Sequence, residues 1–228
     1  MSFKCSDCVA FERLKKANYQ CVFMRYEACT APILLWLERK LFLNLGMSIV
    51  EKYRPQFTYE DYCLWEGRWE LIEGMPYAMS PSPNRMHQHI NGKLLILFDT
   101  ATREHCSQCR AYMAPLDWKI NSKTVVQPDL MIVCGKFTTD FLEFAPALTV
   151  EILSKSTAFK DRHEKLELYE QEGVEYYMIV DPEFNKIEIY QLADRKFKLA
   201  VNTPEQFEFT FKNGCHLPIS FTGIWDQS

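Results

Sequence analysis

The sequence has no apolar run long enough to form a membrane-spanning helix. A spanning helix needs roughly 20 mainly apolar residues, and the best candidate, Ala31 to Leu37, is interrupted at once by Glu38-Arg39-Lys40. The N-terminus lacks an apolar core and a small-residue cleavage site, so we expect no signal peptide. These absences predict a soluble, cytoplasmic protein without a membrane partner.

An excess of positive charge is also missing. The net charge is -4 at pH 7, which argues against a uniformly basic nucleic-acid-binding protein. A local basic groove remains compatible with it, because Lys and Arg can cluster on one face. The chain contains no phosphate-binding Gly-rich loop, nucleophile elbow or dinucleotide-binding fingerprint. The common motifs of nucleotide-dependent enzymes and serine hydrolases are therefore absent.

The chain length sets the domain organisation. With 228 residues, 47% of them hydrophobic, the chain can bury one substantial core. Residues 1–46 differ from the rest by their weak periodicity and by four of the nine cysteines, whereas Met47 opens a polar lead into an ordered region. We predict that residues 1–46 are an N-terminal extension or a miscalled start, and that residues 47–228 form one α/β domain.

The cysteines allow two interpretations. In a cytosolic protein we expect all nine to remain thiols. The pairs Cys5/Cys8 and Cys106/Cys109 have the spacing of zinc ligands. Four thiolates would form a structural zinc site if the two pairs met in space, although nothing in the sequence brings them together.

Two apolar runs near the centre of the chain each carry one carboxylate. Val125 to Val133 contains Asp129, and Leu148 to Ser154 contains Glu151; both runs predict buried strands. Burying an unpaired carboxylate costs several kcal/mol, so such groups are normally paired or bind a metal. The charged helical segment that follows carries Lys165. An Asp, a Glu and a Lys are the parts of a divalent-metal phosphodiesterase site.

Helix caps, turns and alternation predict the elements around these two strands. In chain order they are a short helix capped by Thr58, a hairpin of Trp69–Gly74 and Pro76–Ser80, a Ser80–Pro83 break, a helix from Asn84 to about Glu104, one or two strands in Arg110–Ile120, a helix over Thr157–Glu172, paired strands at Glu175–Pro182 and Lys186–Leu192, and a strand at Phe207–Phe211.

Several ordered motifs lie between Thr58 and Trp225. They are Trp69-Glu70-Leu71-Ile72-Glu73-Gly74, Met79-Ser80-Pro81-Ser82-Pro83, His87-Gln88-His89-Ile90, Val126-Gln127-Pro128-Asp129-Leu130, Val150-Glu151-Ile152-Leu153-Ser154, Glu164-Lys165-Leu166-Glu167-Leu168-Tyr169 and Tyr177-Met178-Ile179-Val180-Asp181-Pro182. Together they resemble the restriction-endonuclease-like family within the PD-(D/E)XK nuclease superfamily. The resemblance implies an α/β, restriction-endonuclease-like core, with a central mixed β-sheet flanked by helices.

The resemblance assigns the central carboxylates. Pro128-Asp129 is similar to the PD element, and Glu151 is similar to the (D/E) residue. The superfamily pattern places Lys two residues after that acid, where this chain has Leu153. The resemblance implies that Lys165, from the following helix, takes its place.

The resemblance also selects Glu70 as a further acidic residue of the site. Met75 stands where the family motif usually has a second acid, so this position supplies no carboxylate. From the residues alone Glu70 has three interpretations. It is a third metal ligand, a partner for Arg68 or Lys165, or a solvated side chain.

The function that the resemblance implies is a Mg²⁺-dependent endonuclease acting on DNA, with Mn²⁺ as an alternative ion. Mg²⁺ takes carboxylate oxygens and retained waters, so we predict Asp129 and Glu151 as ligands and the carbonyl of Ile152 as a third. Lys165 would orient the attacking water or stabilise negative charge in the transition state.

His87 and Gln88 are weaker candidates, for contact with the substrate. They begin a helix, where exposed backbone donors attract phosphate. His87 also falls on the apolar stripe of that helix, so a hydrogen-bonded histidine at the edge of the core is an equally good interpretation.

Alternatives remain open at this point. Asp129 could cap a strand end while Glu151 and Lys165 form an inert ion pair. The whole chain could be a catalytically inactive, nuclease-derived module that binds nucleic acid or protein, because a fold does not dictate a function. A homodimer is also left open.

Overall fold

The computed structural model describes residues 55–79, 84–155 and 157–226. The predicted extension over residues 1–46, the proposed start at Met47 and the Ser80–Pro83 break lie outside the described residues, so these remain predictions. In the described part of the chain, no helix is long and apolar enough to cross a membrane.

The described elements alternate short strands with few helices. In chain order they are α1 (Tyr59–Tyr62), β1 (Trp69–Ile72), β2 (Met75–Ala78), α2 (Arg85–His105), β3 (Cys109–Met113), β4 (Trp118–Asn121), β5 (Thr124–Val126), β6 (Leu130–Cys134), β7 (Leu148–Ile152), α3 (Ala158–Arg162), α4 (Glu164–Gln171), β8 (Tyr176–Asp181), β9 (Lys186–Ala193), β10 (Lys196–Asn202), β11 (Gln206–Thr210) and β12 (His216–Ser220).

The central sheet has six strands in the order β10-β9-β8-β7-β6-β3. β7 and β8 are parallel, and the other neighbouring strands are antiparallel. The predicted mixed sheet is therefore confirmed. The strand that follows Asp129 and the strand that contains Glu151 are also direct neighbours, as expected.

A second sheet has four strands in the order β2-β1-β5-β4, and β11 and β12 form a separate hairpin. The predicted hairpin of β1 and β2 is confirmed, with pairs running from Trp69–Ala78 to Ile72–Met75. Its two turn residues, Glu73 and Gly74, have φ angles of 51° and 77°. Positive φ at both positions matches the twist of a tight two-residue hairpin.

The run from Val125 to Val133 is not a single strand, and that prediction is wrong. β5 ends at Val126 in the four-stranded sheet, and β6 begins at Leu130 in the six-stranded sheet. Pro128 lies between them and has no N–H to donate to a ladder. The chain crosses from one sheet to the other here, which places Asp129 at the junction.

Helix α2 confirms the predicted helix after Asn84. The Asn84 side chain accepts the N–H of His87 at 2.8 Å, so the cap is the expected one. Ile90, Leu94 and Phe98 are buried on one face of the helix. They belong to the core cluster that includes strands β6 to β9 and the β11–β12 hairpin.

The segment predicted as one helix over Thr157–Glu172 is two helices, α3 and α4, which meet at His163. His163 has φ -126° and ψ -71°, and its Nδ1 lies 2.9 Å from the carbonyl of Phe159. A side chain that hydrogen-bonds to a backbone carbonyl of the helix competes with the backbone N–H donors for that carbonyl, and this weakens a regular helix. Gly173, with φ 80°, follows the end of α4 as predicted.

Four cysteines are joined in two disulfides, Cys106–Cys215 and Cys109–Cys134. The expectation that every cysteine remains a thiol is therefore wrong for this structure, because the fold brings these four side chains together. Cys63 is the free cysteine among the described residues. Cys5 and Cys8, the other half of the predicted zinc site, lie outside them.

Candidate active site

A pocket of about 790 Å³ brings the sequence-predicted site residues together. Its lining includes Glu70, His87, Gln88, Asp129, Glu151, Ile152 and Lys165. They come from β1, α2, β7 and α4 and from the crossover before β6. Lys160 and Asp161 of α3, which the sequence did not single out, line the same pocket.

Asp129 is held by the strand that carries Glu151. The Leu130–Val150 pair in the β6–β7 register makes Asp129 and Glu151 the next opposed positions. Asp129 Oδ2 accepts the backbone N–H of Ile152 at 2.9 Å and lies 3.0 Å from His87 Nε2. The Asp129 side chain is 14% exposed, so the carboxylate lies at the boundary between core and pocket.

Lys165 is buried among carboxylates. Its side chain is 2% exposed, and Nζ lies 2.8 Å from both Glu70 Oε1 and Glu151 Oε1. Asp161 Oδ1, one helical turn earlier in sequence, is 3.7 Å from the same nitrogen. The structure therefore joins β1, β7, α3 and α4 through one ammonium group.

Glu70 is fully buried and has two cationic partners. Its Oε2 accepts from Lys160 Nζ at 2.5 Å, and its Oε1 accepts from Lys165 Nζ and from the N–H of Gln127. Arg68 donates instead to the side-chain oxygen of Gln127. Of the interpretations left open for Glu70, the ion pair with Lys165 is present, while solvation and the pair with Arg68 are wrong.

Burial and neighbouring charges separate the pKa values of the two glutamates. Burial alone would raise the pKa of Glu70, but Lys165 and Lys160 lower it to about 2. Burial raises the pKa of Glu151 well above its usual range, and the attraction of Lys165 is offset by Asp161, Asp129 and Glu70. Glu70 thus keeps its charge beside Lys165 and Lys160, whereas burial favours the protonated form of Glu151 relative to an exposed glutamate.

Asp161 and Lys165 complete the electrostatics of the cluster. Burial raises the pKa of Asp161 above its ordinary value. Burial would lower the pKa of Lys165, but Glu151, Glu70 and Asp161 raise it well above the ordinary range. Lys165 is therefore a permanent cation, and three carboxyl groups, those of Glu70, Glu151 and Asp161, lie around it.

Two buried tyrosines donate hydrogen bonds to acidic residues of the site. Tyr169 of α4 donates its hydroxyl to Glu151 Oε1 at 2.8 Å, and Tyr177 of β8 donates to the carbonyl of Asp161 at 2.9 Å. Tyr169 follows Lys165 by four residues, so helical spacing alone places the two on one face. The same spacing relates Asp161 to Lys165. A spacing of four residues from Lys165 is thus the sequence signal that indicates Tyr169 and Asp161. No sequence signal selects Lys160.

The weaker candidates, His87, Gln88 and the carbonyl of Ile152, differ in their burial and in their contacts. His87 is mostly buried, with 12% of its side chain exposed, and contacts Asp129; its Nδ1 is buried without a hydrogen-bond partner among the described residues. His87 is thus a hydrogen-bonded histidine at the edge of the core. Gln88 is exposed and lines the pocket. Ile152 donates its N–H to Asp129, and a ligand role for its carbonyl stays a prediction.

The pocket contains the type of oxygen ligand that a divalent cation such as Mg²⁺ or Mn²⁺ binds. These ions prefer carboxylate and carbonyl oxygens, and Asp129, Glu151 and Asp161 provide carboxylates around one pocket. Asp161 Oδ1 is buried and accepts no hydrogen bond from the described residues. The Lys165 ammonium lies 3.7 Å from this oxygen, and a bound metal ion would further compensate the cost of burying it.

The chain matches the family Uma2, described as "Putative restriction endonuclease", over residues 58–219. The chain belongs to the Uma2 family. It is 29% identical over 149 residues to "Uncharacterized protein slr1290" of Synechocystis sp., a match that covers 61% of this chain and 76% of that protein. The resemblance to a restriction-endonuclease-like family, drawn from the sequence motifs, is thereby confirmed.

The fold of this chain is similar to that of a solved structure. "Crystal structure of a putative nuclease belonging to DUF820" from Anabaena variabilis ATCC 29413 matches with a TM-score of 0.58 at 16% identity. The match covers 74% of this chain and 97% of that chain. At this identity the likeness shows the fold alone, and it confirms the predicted α/β class. The family description supports a nuclease-like function for this Uma2 protein.

Proposed function

We propose that this Uma2 protein is a divalent-metal-dependent endonuclease that hydrolyses phosphodiester bonds in DNA. The observation that carries the proposal is the buried Lys165, which lies 2.8 Å from both Glu70 and Glu151 in a pocket shared with Asp129. Phosphodiester hydrolysis needs carboxylates to hold a metal and a fixed cation to face the charge that develops in the transition state. The pocket supplies both.

Asp129 and Glu151 would hold Mg²⁺ or Mn²⁺, with the Ile152 carbonyl as the predicted third ligand. A bound ion would supply Lewis-acid stabilisation of the phosphate and would lower the pKa of a coordinated water. The amide of Ile152 and the hydroxyl of Tyr169 orient the two carboxylates, since each donates to one of them. Glu151 would hold the ion in its ionised form.

Lys165 would orient the attacking water or stabilise negative charge on the phosphate oxygens. A cation held in place before the reaction stabilises that charge without reorganisation. Glu70 and Lys160 position it, because Glu70 bridges the two ammonium groups. We therefore assign Glu70 as a positioning residue, which alters its predicted role as a direct catalytic group.

The surroundings of the pocket favour an anionic, polymeric substrate. Arg68 and the exposed Lys155 line the same pocket, and side chains of this type contact phosphates along a nucleic-acid backbone. The first turn of α2, with Gln88 exposed, borders the pocket as well. The N-terminus of a helix is favourable for phosphate.

One observation favours the alternative of a nuclease-derived binding module without turnover. Lys165 already has two carboxylate partners at hydrogen-bond distance, so a purely structural ion cluster would have the same geometry. A binding module would bind DNA without cutting it, at any concentration of Mg²⁺ or Mn²⁺.

A cleavage assay distinguishes the two functions. The full chain would be incubated with supercoiled plasmid, single-stranded DNA and single-stranded RNA, with Mg²⁺ or Mn²⁺ and separately with a chelator. We expect metal-dependent DNA cleavage by the wild type, none by Asp129→Ala, and wild-type rates for Asp194→Ala, whose side chain is 90% exposed. Binding without cleavage would overturn the enzymatic proposal, and cleavage of RNA alone would overturn the DNA assignment.

A further inference from the structure

Four cysteines meet at a place in the fold that the proposed active site does not use. Cys106 caps the end of α2, Cys109 begins β3, Cys134 ends β6, and Cys215 precedes β12. None of them lines the pocket of Lys165. Cys106, Cys109 and Cys215 are almost completely buried. The arrangement therefore needs an explanation of its own.

The sulfurs form one cluster. The Sγ atoms of Cys106, Cys109 and Cys215 all lie within 4.8 Å of one another. Cys109 Sγ is 3.0 Å from Cys106 Sγ and 3.9 Å from Cys215 Sγ, in addition to its bond to Cys134. A disulfide needs only one partner for each sulfur, so two independent crosslinks would not require this convergence. Three sulfurs thus lie close together, and Cys134 is joined to one of them through its bond to Cys109; four cysteine sulfurs are the ligand set of a structural Zn²⁺ site.

Side-chain amides point at the same sulfurs. Gln108 Nε2 donates to Cys215 Sγ at 3.5 Å, and Asn213 Nδ2 donates to Cys109 Sγ at 3.4 Å. A neutral sulfur is a weak acceptor, whereas hydrogen bonds from a surrounding layer typically orient and stabilise charged metal ligands. Asn213 is itself oriented, since its Oδ1 accepts the N–H of Cys215. These donors favour a thiolate state of the cluster.

We propose that, when reduced, Cys106, Cys109, Cys134 and Cys215 bind one Zn²⁺ ion. Cys106 and Cys109 have the spacing predicted for zinc ligands, but their partners are Cys134 and Cys215 rather than Cys5 and Cys8. The four thiols release their protons on binding, and no electron is transferred. The two disulfides of this structure are the alternative, oxidised state of the same residues.

The site would be structural. Its ligands come from the end of α2, from two strands of the central sheet and from the loop between β11 and β12. A closed set of four protein ligands leaves no open position for substrate, and such sites contribute directly to folding. Zn²⁺ at this place would fasten the β11–β12 hairpin to the helix and the sheet. This inference does not depend on the proposed nuclease activity.

Metal analysis of the full chain tests the proposal. The protein would be purified with a phosphine reductant and without added metal, and its zinc content measured by mass spectrometry. We expect one Zn²⁺ per chain, and we expect the Co²⁺-substituted protein to show thiolate charge-transfer bands and tetrahedral ligand-field bands. Reduced wild-type protein without zinc, or with an octahedral Co²⁺ spectrum, would overturn the proposal.

Matched cysteine variants identify the ligands. Cys215→Ser should lose the bound zinc, whereas Cys63→Ser, which changes the exposed free cysteine, and the double variant Cys5→Ser/Cys8→Ser should retain it. Zinc retained by Cys215→Ser, or lost with Cys5 and Cys8, would contradict this ligand set. The wild-type Co²⁺ spectrum keeps the test decisive if Cys215→Ser does not fold.

Discussion

Replacing Lys165 with methionine removes a buried charge and keeps most of the apolar stem. Two carboxylates, each 2.8 Å from Nζ, then lose their partner. Removing one member of a buried ion pair typically costs about 3–5 kcal/mol. We expect the lower limit, about 3 kcal/mol, because Glu70 keeps its contact with Lys160 and Glu151 can take up a proton.

Urea unfolding measures this loss. With a denaturant dependence of about 1–3 kcal/mol per molar urea, a loss of about 3 kcal/mol lowers the midpoint by about 1–3 M. Lys155→Met is the matched control, since Lys155 is exposed at the same pocket and its replacement should change stability by less than about 0.5 kcal/mol. Equal midpoints for the two variants would refute the buried ion cluster. The double variant Lys165→Met/Glu151→Gln should recover part of the loss.

The remaining predictions follow from the same charges. Burial raises the pKa of Glu151, so the protonated side chain stabilises the fold at low pH, and this contribution is lost as pH rises through the pKa of the folded protein. The variant Glu151→Gln should therefore stabilise the metal-free protein, and urea unfolding should show a stabilisation that increases with pH. Glu70 has a pKa lowered from 4.5 to about 2, so the destabilisation by Glu70→Gln, present above pH 4.5, should shrink as pH falls towards 2, and a constant difference would contradict the ion pair. Binding of Mg²⁺ or Mn²⁺ should release protons, because Glu151 must ionise; calorimetry in buffers of different ionisation enthalpy would show identical heats if it did not. Lys165→Met should slow DNA cleavage by about 100-fold or more, equivalent to about 3 kcal/mol, with only a modest change in DNA affinity measured by filter binding; an equal loss of affinity would assign Lys165 to binding.

Local patterns were sufficient for most of the fold. The caps at Thr58 and Asn84 and the turn at Glu73-Gly74 depend on neighbouring residues only, and the structure contains all three. The division of Val125 to Val133 between two sheets depends on tertiary structure. Pro128 indicates that a ladder is interrupted, but not that the chain changes sheets there.

The candidate site was accessible to sequence reasoning in part. Glu151 stood out because it is a single acid in an apolar strand, and family motifs drew attention to Lys165 and Glu70. Lys160 was missed because it lies in a charged segment whose lysines look alike in sequence. It lies in α3, before the break at His163. The meeting of Cys109 with Cys215, 106 positions apart, is likewise a product of the fold.

Asp129→Asn tests the central claim most directly when cleavage and melting temperature are measured on the same preparation. The site we propose needs the Asp129 carboxylate as a metal ligand, so metal-dependent cleavage should be lost. The amide that replaces the carboxylate would still offer an oxygen to the N–H of Ile152. Burial is the main cause of the raised pKa of Glu151, and the repulsion that Asp129 adds to it would be removed. Metal-free Asp129→Asn should therefore melt at the same or a higher temperature than the wild type. A lower melting temperature with undiminished cleavage would contradict the account and identify Asp129 as a structural residue.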